Sequence, residues 1–394
     1  MSPTPLPDPE RSRRTVGTVL YAVGLLFGGL LFTLVFLVPP LFERDPIGVY
    51  GNMLSAAALA FPAVVMYMTV PRLLDRYDPE PAWALAMVFF WGAVAACGVS
   101  GVINTAVAGV FGESASAVVS APVVEEFMKG LAVAGMFYFW RREFDGVVDG
   151  IIYATFVALG FAAVENVIYY ARAAKQGETA LTGLFILRGV ITPWAHPLFT
   201  AMTGIGFGVS RETATGALRW AAPFLGYGAA VLLHFIWNGS SVFSAAVNVP
   251  IILILLPLWF LFVMAFLGMV VALVRRRGQI IRANLQDEVL LGTVTREEFE
   301  LVGSAFGIFT AAMGPGGAIR AQIIRACARL ALSKWHAERA YRGQRRTVSF
   351  DFIVPLRDEI RNLRAQLQGA APRPPYNYPP PPNPYQSPPG PPRW

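Results

Sequence analysis

Long apolar runs alternate with short polar segments along this chain. The runs cover residues 16–38, 53–70, 82–110, 115–140, 148–170, 184–209, 218–247 and 250–274. A helix of about 20 apolar residues crosses the ~30 Å hydrocarbon core of a bilayer. The pattern therefore predicts an all-α polytopic membrane protein with about eight spanning helices. The first run is too long for the apolar part of a signal peptide. Pro39-Pro40 follows it where a cleavage site would need small residues, so it reads as a retained helix. Gly24 and Gly28 within it have the spacing that lets two helices approach closely.

Arginines orient the spans. With the N-terminus inside, the inner segments hold Arg11, Arg13, Arg14, Arg72, Arg76, Arg141, Arg142, Arg211, Arg219 and Arg275–Arg277, and the outer loops only Arg44, Arg172 and Lys175. Positive charge concentrates on the cytoplasmic side of membrane proteins. The expected location is the plasma (inner) membrane, multi-pass, with both termini cytoplasmic.

Beyond residue 274 the pattern changes. Thr295-Arg296-Glu297-Glu298 has the form of a capping box before an apolar stretch. Gly314-Pro315-Gly316-Gly317 interrupts the chain, and 319–341 and 354–367 repeat apolar positions at helical spacing. The chain thus divides into a polar segment (1–15), a transmembrane domain (16–274), a small helical cytoplasmic domain (275–368) and a proline-rich tail (369–394) expected to be disordered. The tail is a candidate ligand for a proline-motif-binding partner. The arginine-rich helices before it are suited to an anionic lipid surface.

Composition agrees with this reading. The chain is 55% hydrophobic and 14% charged, against about 25% charged in ordinary soluble domains. Its net charge of +7 lies largely at segment ends, so it reads as orientation signal and gives no indication of nucleic-acid binding. Cys97 falls in a predicted span and Cys327 in the tail domain, so no disulfide is expected.

Several polar residues lie where a membrane helix should be apolar. Glu125, Glu126 and Lys129 sit in the run at 115–140, with Lys129 one turn after both carboxylates. A charge at the centre of a membrane helix costs about 2.5–3.5 kcal/mol on insertion scales, so such residues mark function by default. Pro122 precedes them and should open the helix. Asp149 is placed to cap the fifth span, whereas Glu165-Asn166 lies inside it, one turn after Phe161. In the sixth span Arg188, Thr192, His196 and Thr200 recur every four residues, with Pro193 and Pro197 beside the histidine. In the seventh, His234 and Asn238 share a face. At 1.5 Å per residue these groups come to similar depths and should converge on one pocket.

That inventory suits hydrolysis by an activated water. A carboxylate and an imidazole around one water form a general-base site. Glu165, His196 and His234 could alternatively hold zinc with a position open for water. A histidine and an asparagine could stabilise an oxyanion. Ser240 and Ser241 follow Asn238 in the seventh span, but Ser241 stands at i+7 from His234, so nucleophilic catalysis is not expected. The preferred assignment makes Glu125 the base without a metal. Glu126, Glu165 and His196 then share charge and orient the water, His234 and Asn238 face the oxyanion, and Lys129 and Arg188 support the site.

Glu125-Glu126-xx-Lys129, Phe161-xxx-Glu165-Asn166, Ala195-His196-Pro197 and His234-xx-Trp237-Asn238 occur in an order that resembles the PrsW family of intramembrane proteases. Asp149-Gly150 and the loop Asp75-Arg76-Tyr77-Asp78-Pro79-Glu80-Pro81 are similar too. The resemblance covers about residues 75–238. It extends more loosely to the CAAX-protease and bacteriocin-immunity superfamily, whose pattern is EExxxR, FxxxH and HxxxN. Here the basic residue comes one position earlier and Glu165 stands where that pattern has histidine. The resemblance implies cleavage of a membrane-anchored regulatory protein of the anti-sigma-factor kind. Two other functions are compatible with the residues alone. One is a proton- or ion-coupled transporter built on the same buried carboxylates. The other is a membrane scaffold or receptor acting through its tail.

Overall fold

The computed structural model describes residues 9–213, 216–247, 251–304, 306–342 and 349–369. The first eight residues and the proline-rich tail beyond Gly369 lie outside the described residues. Among the described residues all regular structure is helical. Two compact units emerge, Met1–Asp75 with Pro79–Val274, and Arg76–Asp78 with Arg275–Trp394.

The first unit contains helices α1 (Pro9–Phe32), α2 (Pro46–Tyr67), α3 (Thr69–Leu74), α4 (Ala82–Phe90), α5 (Cys97–Phe111), α6 (Glu113–Ala115), α7 (Ala121–Phe139), α8 (Val147–Ala174), α9 (Glu178–Phe185), α10 (Ala195–Glu212) and α11 (Gly216–Val247). Helix α12 (Ile252–Leu290) begins in this unit and ends in the second. Wider π-helical turns follow α1, α4, α6 and α9, at Thr33–Leu37, Trp91–Ala96, Ser116–Ser120 and Ile186–Ile191. Such turns often mark functional sites. Six stretches are long and apolar enough to cross a membrane: Ser12–Phe42, Pro46–Arg72, Ala82–Phe111, Val147–Ala174, Gly216–Ser244 and Leu255–Leu290. The other two expected runs, 115–140 and 184–209, carry Glu125, Glu126, Lys129, Arg188 and His196, and each contains a π turn.

Helix α8 is the axis of this unit. It is apolar on every side, as a helix surrounded by others must be, and 94% of its central window is buried. Helices α2, α4, α7 and α10 pack around it. Glycines set the closeness of the α8–α10 crossing, because a methyl group on Gly150 would overlap the Gly204 carbonyl, and the converse also holds. The Gly24/Gly28 pair does the same for α1. Gly24 lies against Trp91, and Gly28 against the backbone of Ala95. Large apolar side chains of α1, α2, α11 and α12 face outward, including Leu26, Leu54, Phe224 and Leu261. A lipid-facing surface requires this. Asp149 is the third residue of α8 and accepts hydrogen bonds from the Asp145 and Gly146 amides at 2.8 and 3.1 Å, which caps the helix start.

The second unit contains α13 (Arg296–Val302), α14 (Gly307–Ala312), α15 (Gly317–Arg342) and α16 (Phe350–Leu367). The expected capping box is formed. The Glu298 amide donates to Thr295 Oγ1 at 3.2 Å, and the Thr295 amide to Glu298 Oε2 at 2.7 Å. Gly316 takes φ +69° at the glycine-rich break. Ile323, Cys327, Leu330, Leu356 and Ile360 are buried in this unit. Both cysteines are free, and burial pushes the Cys327 thiol well above its usual range, which makes it unreactive.

Candidate active site

Five helical segments deliver the ionisable residues, and two of the segments are broken for identifiable reasons. Pro122 has no amide to donate to the carbonyl four residues earlier. The Ser116–Ser120 π turn ends just before it, and α7 then carries Glu125, Glu126 and Lys129 inward. The run at 184–209 is expected to be one span, but Pro193 also lacks an amide and restricts Thr192 before it. The chain leaves helical geometry at Thr192 (φ −125°, ψ 36°) and resumes at Ala195. Arg188 therefore comes from a π turn, and His196 from the first turn of α10. Glu165 and Asn166 come from α8, and His234 and Asn238 from α11.

These groups meet in a continuous polar chain. The Arg188 guanidinium pairs with Glu165, and its Nε donates to Asn166 Oδ1 at 2.8 Å. Glu165 Oε2 lies 2.8 Å from His196 Nε2, whose Nδ1 lies 3.2 Å from Lys129 Nζ. Lys129 is fully buried over the Phe161 ring, 4.5 Å from its centroid, and is ion-paired with Glu126. Glu126 Oε1 also meets His234 Nδ1 at 3.0 Å, and Thr200 donates to Glu126 Oε2 at 2.8 Å. The two imidazole centroids are 5.1 Å apart.

The tautomers follow from these partners. An ammonium beside His196 Nδ1 requires a lone pair there, so the proton sits on Nε2 and points to Glu165. A carboxylate beside His234 Nδ1 requires the proton there, so the lone pair of His234 Nε2 faces Glu125 Oε2 at 3.9 Å. Glu125 is fixed from its other oxygen, because Asn104 Nδ2 of α5 donates to Oε1 at 3.2 Å. Glu125 Oε2 is buried and has no hydrogen-bond partner.

Three side chains, Glu125, His196 and His234, present ligand atoms within 4.8 Å of one another. Glu125 and His234 fit a divalent cation as they stand, whereas His196 would join only with Lys129 turned away, because its Nδ1 faces the Lys129 ammonium at 3.2 Å and its Nε2 faces Glu165. Glu125 Oε2 is an orphaned buried acceptor, and each imidazole has a carboxylate on one ring nitrogen, Glu165 on His196 and Glu126 on His234. Metal-binding histidines are commonly oriented in this way. Three carboxylates against Lys129 and Arg188 also leave one negative charge uncompensated. The convergent set contains Glu125 where the sequence suggests Glu165, because Glu165 lies behind His196 and is held there by Arg188.

Asn238 lies one turn beyond His234, but its amide is engaged elsewhere. It donates to the Ala117 carbonyl at 2.9 Å, inside the π turn that Pro122 helps to open. This bond takes one of the two hydrogens of its amide nitrogen. Asn104, Ser116 and Ser120 belong to the polar cluster and went unnoticed in the sequence. Asn104 is an amide in an otherwise apolar span, and that was the available signal. A separate apolar cavity of about 250 Å³ is lined by Trp194, Pro197 and Leu198 with residues of α8 and α12, and by none of the ionisable groups.

Comparison with known proteins finds relatives of this chain by sequence. A family profile described as PrsW family intramembrane metalloprotease matches residues 80–274. The chain is similar to Protease PrsW of Geobacillus kaustophilus, with 31% identity over 162 residues, 41% of this chain and 67% of that protein. It is similar to Protease PrsW of Oceanobacillus iheyensis, with 26% identity over 200 residues, 49% of this chain and 87% of that protein. It is also similar to Protease PrsW of Clostridioides difficile, with 30% identity over 185 residues, 46% of this chain and 76% of that protein. No solved structure gives a significant match.

Proposed function

Since the chain belongs to the PrsW family of intramembrane proteases, we propose that it cleaves a peptide bond in or near the span of a membrane-anchored regulatory protein, with Glu125 as the base. The observation that carries this reading is the orphaned Glu125 Oε2 facing the His234 Nε2 lone pair at 3.9 Å. That separation is too long for a direct hydrogen bond, and one water reaches both atoms. Glu125 takes a proton from the water as the oxygen adds to the scissile carbonyl, and returns it to the leaving amine. His234, fixed by Glu126, orients the water. Lys129 supplies the nearest positive charge to the developing oxyanion. His196, Glu165 and Arg188 hold the opposite wall.

A second reading rests on the paired imidazole–carboxylate contacts. Glu125 and His234 would hold a divalent cation, with His196 joining them once Lys129 leaves its Nδ1. When bound, it supplies a Lewis acid and lowers the pKa of water at that position. The arginine asymmetry of the sequence supports eight spans with both termini in the cytoplasm. An anti-sigma-factor-like protein is the substrate class that the family points to, and the proline-rich tail is suited to recruiting a proline-motif-binding partner.

The test is cleavage of a panel of labelled single-span membrane proteins by the purified protein in detergent, with and without a chelator. Glu125→Gln keeps the shape of the side chain and removes its charge. It should insert and purify normally and lose at least about 10²-fold in rate, the usual worth of a general base. Cleavage by this variant at the wild-type rate sinks the assignment.

A further inference from the structure

We infer that Asn104, locked by Ser120, is a positioning residue that aims Glu125 at the reacting water; this inference rests on the role of Glu125 proposed above. Asn104 is held at three points. Its backbone carbonyl accepts from Ser116 Oγ at 2.8 Å, its Oδ1 accepts from Ser120 Oγ at 2.7 Å, and its Nδ2 donates to Glu125 Oε1 at 3.2 Å. Both serines are buried and belong to the π turn before α7. The turn therefore grips α5 and sets the orientation of the amide.

The orientation matters because an asparagine side chain can be rotated by half a turn at little steric cost. Rotated, its oxygen would face the Glu125 carboxylate and two acceptors would meet. The Glu125 carboxylate, which only accepts, favours the orientation with the NH2 group toward it, and the Ser120 hydroxyl donating to Oδ1 pins the other end of the amide in place. One carboxylate oxygen is then bound, and the other, Oε2, is left without a partner opposite His234. A carboxylate free at both oxygens could rotate and satisfy itself elsewhere. Holding Oε1 keeps Oε2 ready for substrate chemistry, the kind of second-sphere support a preorganised site needs. A half-buried amide in an apolar helix is costly unless it is bonded. Here both ends of it are bonded, and one bond goes to the proposed base.

The experiment uses the full chain in detergent and a fluorogenic single-span peptide selected for cleavage by the wild-type protein. Asn104→Ala should lower kcat by about tenfold to hundredfold with KM unchanged, the scale of one hydrogen bond to a charged group. Ser120→Ala should lower kcat by less, about threefold to tenfold, because the amide stays but loses its lock. The double variant should match Asn104→Ala, since Ser120 acts only through Asn104. A merely structural pair would give losses that multiply, or a fall in the fraction of folded enzyme at unchanged kcat per active site. Either result overturns the inference, as does wild-type kcat in Asn104→Ala. If Asn104→Ala is normal while Glu125→Gln is inactive, only the positioning role fails. If Glu125→Gln is fully active, the base assignment itself fails.

Discussion

Removing the ammonium of Lys129 tests whether the site is the buried, ion-paired cluster its geometry describes. Lys129 and Glu126 are both 0% exposed and form an ion pair. Lys129 also lies 3.2 Å from His196 Nδ1. Lys129→Met keeps the length of the side chain and deletes the charge, so the cluster goes from one uncompensated negative charge to two. Breaking a buried pair from one side costs about 3–5 kcal/mol, because the remaining charge is stranded. No discount for solvent screening applies to a pair with no exposure. Glu126→Gln added to Lys129→Met restores the original balance. The glutamine oxygen still accepts from Thr200, so the double variant should recover about 2 kcal/mol or more of the loss. The measurement is reversible unfolding of the detergent-solubilised protein in SDS, fitted for the wild type, both singles and the double. A cost below about 1 kcal/mol for Lys129→Met, the value of an exposed pair, would refute the reasoning. So would a double variant no more stable than Lys129→Met alone.

Two further outcomes follow from the same geometry. Titration of the purified protein with zinc, read by elemental analysis after desalting, separates the two readings: about one equivalent bound supports the metal reading, and none supports Glu125 acting as a base on water alone. That equivalent should be lost in His234→Ala and kept in Asn238→Ala; full retention in His234→Ala would remove the proposed donor set. Reporter domains fused after Gly112 and after Arg275 should report outside and inside respectively, and an outside signal after Arg275 would invalidate the eight-span topology.

The sequence carried the identity of the charged residues more fully than their arrangement. Glu125, Glu126, Lys129, Glu165, His196 and His234 stood out because each is expensive in an apolar helix, and the structure brings all of them into one cluster. Helical spacing tells which residues share a face, as with His234 and Asn238. It does not tell which neighbour that face meets. Asn238 therefore looked like part of the reacting centre, and its amide is bonded to a backbone carbonyl of the π turn. Glu165 looked like a ligand for the same reason, and Arg188 holds it behind His196. The regular four-residue stripe from Arg188 to Thr200 assumed one continuous helix, and Pro193 ends that continuity.

The breaks themselves connect the fold to the chemistry. A straight α-helix satisfies its own backbone, which leaves few groups for anything else in lipid. The Ser116–Ser120 turn and the interruption at Thr192–Trp194 free backbone groups and redirect side chains next to the charged cluster. The Ala117 carbonyl, which Pro122 cannot meet, is satisfied by Asn238 at 2.9 Å, and at the second break the Leu187 carbonyl accepts from both the amide and the hydroxyl of Thr192, each at 2.8 Å. Both contacts close a distorted turn next to an element that carries site residues. Local backbone irregularity at membrane depth is tolerated only where protein or a polar cavity receives it. The polar cluster and the irregular backbone therefore depend on each other. The charged residues need a protein-lined interior, and the broken helices need polar side chains to complete their hydrogen bonds. Fully regular spans through 115–140 and 184–209 would lose the Asn238 and Thr192 contacts together with the approach of Arg188 and His196 to Glu165.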